Sequence, residues 1–165
     1  MECVSELGPS YKSLLVLGWI ISWLTSMGRV AAAHYMKHAE LAALEGDYYT
    51  AVTSYEKVAD LRLQSVPRYS AKDEWLRAGL CALATGDLVT AQRNVQGYFQ
   101  RDPQFESDRQ GQLLLGLIEA IGAGDQEAFT HKISVYDALR KLSAWEAEIL
   151  VRIKLQIEEA DNEFA

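Results

Sequence analysis

The chain has 165 residues, 49% apolar and 24% charged, which suits one compact domain with a real core and excludes wholesale disorder. A formal charge of -7 argues against general nucleic-acid binding, which needs a dominant basic surface. Two cysteines, Cys3 and Cys81, make no disulfide framework, and Cys81 in GLCALA reads as a buried free thiol of a reducing compartment.

Residues 1–27 differ in character from the rest. Leu14 to Leu24 (LLVLGWIISWL) is an almost unbroken apolar run, shorter than the about 20 residues of a membrane span. Met1 to Lys12 carries Glu2 and Glu6 against Lys12, unlike the basic start of a signal peptide. Three readings stay open: a buried helix of an incomplete preceding repeat, a membrane-contacting segment, or a foreign start to the chain. The division is therefore drawn as 1–27 and a helical repeat domain over 28–165.

From there the apolar spacing predicts helices in pairs. Residues 29–45 carry a stripe of Ala32, Tyr35, Met36, Ala39, Ala42 and Leu44, and 48–63 return with Tyr48, Ala51, Val52, Tyr55, Val58 and Ala59 inward. Pro67 breaks the chain, and Ser70-Ala-Lys-Asp73 fits a capping box that opens the second pair. Trp75, Leu76, Leu80, Cys81 and Leu83 form its stripe; residues 87–100 return, and Asp102-Pro103 closes the unit. The third pair spans 107–123 and 125–140. Ser143-Ala-Trp-Glu146 is a second capping box, opening a last helix to about Glu159 with Trp145, Ile149, Leu150, Ile153 and Ile157 on one face.

One dipeptide organises these pairs. Gly46-Asp47, Gly86-Asp87 and Gly124-Asp125 recur 40 and 38 residues apart, each followed by an alanine (Ala51, Ala91, Ala128). Glycine ends one helix in the left-handed conformation, Asp caps the next, and the small alanine lets the two rods approach. The fold expected is all-α: a right-handed superhelical array of antiparallel helical hairpins, tetratricopeptide-like, with a C-terminal helical bundle. Such arrays hold other proteins.

Signals for chemistry are poor. His34 and His38 share a helical face, but Tyr35 stands where a zinc-protease motif needs glutamate, so neither an enzyme, a metal nor a cofactor is expected. Tyr48, Tyr55, Phe129 and Tyr136 read as packing residues. The charges are more informative. Lys37 and Arg77 each lie nine residues before a turn glycine, and Lys72 and Arg109 open their own first helices. If first helices line one face, these four form a basic strip for an acidic helical partner. Glu158, Glu159, Asp161 and Glu163 collect at the far end with Phe164, as a solvated end or as a docking element steered by charge and anchored by the ring.

The stretch YEKVADLRLQS…YSAKDEWLRAGLCAL (55–83), then DPQFESDRQGQLL and YDAL..LSAWEAEILVRIK, resembles the soluble NSF attachment proteins (SNAPs), the α-type branch most. The resemblance covers 29–165, the C-terminal half of a typical member. It implies an adaptor that wraps the syntaxin-type SNARE four-helix bundle left after membrane fusion. The adaptor recruits the hexameric ATPase NSF to disassemble that bundle in vesicle transport. It also implies a cytoplasmic location, with peripheral membrane association through SNARE complexes. Basic family positions for SNARE contact fall on Lys37, Lys72 and Arg109, with Arg77 added from the spacing; another falls on Ala33, a departure. Acidic positions for NSF contact fall on Asp87 and Glu119, while two neighbours fall on Gly122 and Ala123, with Asp125 nearby. The terminal pattern of acids with a penultimate leucine becomes ADNEFA, keeping Glu163 and placing Phe164 at the leucine position. The alternative expectation is a truncated scaffold that binds NSF or SNAREs without supporting disassembly.

Overall fold

The computed structural model describes the backbone of residues 9–64 and 71–163, and the side chains of 27–64 and 71–159. Its elements, in order, are α1 (Pro9–Glu45), α2 (Tyr48–Gln64), α3 (Ala71–Ala84), α4 (Leu88–Arg101), α5 (Pro103–Ser107), α6 (Arg109–Ala123), α7 (Gln126–Leu139) and α8 (Ala144–Glu163). The described residues are all-α, without strands. The helix expected over 29–45 is the second half of a 37-residue rod, and no helix end falls at the 27/28 division. The side chains of the Leu14–Leu24 run, Pro67 and the cap at Ser70 lie outside the described residues.

The corners follow from glycine and aspartate chemistry. Gly46, Gly86 and Gly124 have φ of 88°, 80° and 66°, the region that side chains with a Cβ avoid. Each following Asp accepts a hydrogen bond through Oδ1 from a backbone N–H three residues on: Thr50 at 3.1 Å, Thr90 at 3.0 Å, Ala128 at 2.8 Å. Ala51 and Ala91 are fully buried where paired helices meet.

The hairpins stack in two layers. Glu56 and Asp60 of α2 reach α4, accepting from Tyr98 Oη at 2.8 Å and Arg101 Nη1 at 3.0 Å. Among the first helices, Glu40 of α1 pairs with Arg77 of α3, and Asp73 of α3 accepts from Gln110 of α6. Helix α3 is central and buried along most of its length. Its Trp75 stacks on Tyr98 (centroids 6.2 Å apart) and tilts against Phe105 at 5.3 Å. Tyr55, Phe129 and Tyr136 are core residues as expected, while Tyr48 is half-buried.

Three expectations need correction. Asp102-Pro103 does not simply close the second unit. Asp102 donates its N–H to Tyr98 at the end of α4 and caps Gln104 N at 3.0 Å, so Pro103 occupies the first turn of α5. That extra turn drives Phe105 into the core, and a Cβ on Gly111 would sit 2.0 Å from Phe105 O. The third pair accordingly starts at Arg109 rather than near 107. In α1, Tyr35 and Leu44 are exposed, because the face packed on its neighbours consists of Ala32, Met36, Ala39, Ala42 and Ala43.

Helix α8 does more than cover the last repeat. Ser143 and Glu146 form the expected capping box (Ser143 N to Glu146 Oε2, 2.8 Å; Glu146 N to Ser143 Oγ, 3.2 Å). Ile149, Leu150, Ile153 and Ile157 are buried as expected. Arg152 Nη1 then donates to Ala43 O (3.2 Å) and Leu44 O (3.1 Å), and Gln156 Nε2 to Ala84 O (2.9 Å). These carbonyls end α1 and α3, where helices lack partners and carry negative partial charge. So α8 straps the C-terminal ends of α1 and α3.

Candidate functional site

The four cations of the expected strip occupy different surroundings. Lys37 and Arg77 sit about 13 Å along their helices from the corner glycine, at nine residues of 1.5 Å rise. Both face Glu40, Lys37 Nζ at 3.7 Å from Oε2 and Arg77 Nη1 at 3.8 Å from Oε1. Lys37 stays 72% exposed, whereas Arg77 is 21% exposed, its guanidinium 5.9 Å from the Trp145 ring centre. Trp145 meets Tyr55 edge-on at 5.4 Å and donates Nε1–H to Glu40 O at 3.4 Å.

Lys72 pairs with Asp108 across α3 and α6, and is 17% exposed. The next residue, Arg109, is exposed and has no ion pair among the described residues. Beside them Asp73 accepts from Gln110 Nε2 at 3.1 Å and pairs with Arg140, a cation that the sequence reading left out. Thus Lys37 and Arg109 are largely exposed, while Lys72 and Arg77 are mostly covered and pair across the layer. Ala33, the departed basic position, is exposed.

The acids lie elsewhere. Asp87 and Asp125 are exposed corner caps; the hydrogen bond from Thr90 holds the Asp87 carboxyl below its ordinary value. Glu119 is exposed near the end of α6. Helix α8 brings Gln156 and Ile157 to these corners, where they line a cavity together with Gly86 and Gly124. Glu158 and Glu159 follow at once; the side chains of Glu163 and Phe164 lie outside the described residues. From Trp145 to Ile157, α8 climbs about 18 Å, from the cations toward the acidic corners.

His38 Nδ1 is 3.1 Å from Ser54 Oγ, and burial pushes the Cys81 thiol up to about 12. Among the described residues no three His, Cys, Asp or Glu side chains gather as a metal site.

The profile of the family described as "Soluble NSF attachment protein, SNAP" matches residues 22–158. The chain belongs to the SNAP family. It is 45% identical over 146 residues to "Probable vesicular-fusion protein sec17 homolog" of Neurospora crassa, covering 87% of this chain and 50% of that protein. It is 33% identical over 130 residues to "Alpha-soluble NSF attachment protein" of Saccharomyces cerevisiae, covering 78% of this chain and 44% of that protein. It is 33% identical over 124 residues to the human protein of that name, with 74% and 42% covered. The chain spans about half the length of the curated relatives it matches. The family match begins inside the apolar N-terminal segment, six residues before the expected division. Among the described residues, no helix is long and apolar enough to cross a membrane.

Proposed function

We propose that this chain is a non-catalytic adaptor that binds SNARE bundles and recruits the NSF ATPase for their disassembly in vesicle transport. Family membership supports the reading, and one observation carries it. Helix α8 brings Ile157, followed by Glu158 and Glu159, to the corners of Asp87 and Asp125, while Lys37 and Arg109 stay exposed farther along the first helices. In this reading Lys37, Lys72, Arg77 and Arg109 form the SNARE-facing set, with Lys37 and Arg109 making the direct contacts. Asp87, Glu119, Asp125, Glu163 and Phe164 form the NSF-facing set. The location is cytoplasmic, at membranes through the SNAREs.

A second reading is favoured by the half-length match: binding to NSF or SNAREs without support of disassembly. Adding the chain in excess to a SNARE-disassembly reaction separates the two. Adaptor function accelerates disassembly, and acceleration is lost with Glu163→Ala plus Phe164→Ala. Inhibition supports the second reading, and no effect on rate contradicts both.

A further inference from the structure

At the corner end, where α8 meets the turns of the second and third hairpins, lies an apolar cavity of about 190 Å³. Leu83 and Ile153, both nearly fully buried, line its depth, and Leu88, Ile121 and Ile157 form its walls. The corner glycines Gly86 and Gly124 complete the lining. Their positive φ requires glycine for the turn, and the space beyond Gly86 is open, with nothing within 4 Å of where a Cβ would be. Gln156 is the one polar side chain in the lining, and its Nε2 donates to Ala84 O. Apolar side chains supply most of the lining, and an apolar cavity of about 150 Å³ is enough to hold benzene.

Each of three acids directly follows a lining residue: Asp87 after Gly86, Asp125 after Gly124, Glu158 after Ile157. The two aspartates use Oδ1 for their caps, and both residues stay exposed at the rim. Arg93, one turn into α4, is the cation that faces Asp87. A half-open, mostly apolar slot beside a solvated acidic rim has the layout of an interface hot spot, with an anchor at the centre and charge at the edge.

We infer that this cavity takes a single apolar side chain projecting from a basic protein surface. The inference rests on the proposed function and deepens it: the occupant belongs to the surface of NSF that the acidic end engages. The rim charges set encounter rate and salt dependence, and the anchor sets residence time.

The test uses the full chain with NSF. Ile121→Trp fills the slot from α6 and Leu88→Phe fills it from α4. Leu139→Trp is the control, an exposed site on α7 remote in sequence from both corners. The expected result is at least tenfold weaker NSF binding for both fillers, with an unchanged salt slope, SNARE-bundle binding and melting temperature, and no change for the control. Asp87→Asn with Asp125→Asn keeps the caps and flattens the salt slope. Methyl resonances of Ile121 and Ile157 in the unaltered chain shift on adding NSF, a readout independent of any variant. Filled variants that bind NSF like the wild type, or methyl groups that stay unmoved, overturn the anchor while the acidic end stands. The anchor is also overturned if Phe164→Ala moves those methyl signals in the free chain, because the chain's own ring then occupies the slot. A wild-type chain that fails to bind NSF overturns the proposed function, and the anchor with it.

Discussion

Asp125 shows how much of this architecture rests on single side chains. It follows the left-handed Gly124 and accepts from Ala128 N, satisfying one of the orphan donors that open α7. Asp125→Ala is expected to cost about 1 kcal/mol in urea unfolding, and Asp125→Asn only a small fraction of that, because Asn keeps the acceptor. Acid has a related effect at the other two corners. Hydrogen bonds from Thr50 and Thr90 hold Asp47 and Asp87 below their ordinary value of 3.8. Their folded-state pKa is depressed, so their contribution is complete above the ordinary value and lost as pH falls through the folded one. Helical content followed by circular dichroism is expected to fall between about pH 5 and 2. Asp47→Asn with Asp87→Asn is expected to shift that fall to lower pH. The corners were legible in the sequence because every part of them is local: glycine, cap and buried alanine lie within six residues.

Long-range partnerships were not legible, and α8 shows why. Its capping box and apolar face could be read from spacing, since both are periodic within one element. Its strapping role depends on Arg152 meeting carbonyls 108 and 109 residues away, and no local pattern marks those. The same holds for Arg140 against Asp73, 67 residues apart, and for Lys72 and Arg77, whose internal partners lie on other helices. The short α5 was missed for a different reason: Asp-Pro serves equally as a stop and as a capped first turn. Replacing the strap cation tests the element directly. Arg152→Met preserves most of the stem but leaves the terminal carbonyls of α1 without their charged donor, costing about 1–2 kcal/mol. Hydrogen exchange is expected to speed up in the last turn of α1 and at the Gly46 corner, with the α6–α7 corner unaffected. Uniform protection loss across all hairpins contradicts a local strap.

At the scale of the whole molecule, the hairpin array separates charge by position along its rods. Exposed Lys37 and Arg109 stand away from the corners, and the corners gather Asp87, Asp125 and the end of α8. The net charge of -7 conceals this division, since it sums over both ends. In the proposed function this lets two partners of opposite charge bind at once without competing for one surface, each with salt-sensitive strength. The measurement that tests this most directly is a crossed binding assay of two double variants against the two partners. Lys37→Glu with Arg109→Glu is expected to weaken SNARE-bundle binding at least tenfold and leave NSF binding to the preformed chain unchanged. Asp87→Asn with Asp125→Asn is expected to do the reverse. If either pair of substitutions weakens both partners equally, or neither partner at all, the division of the molecule into two charged working ends is contradicted.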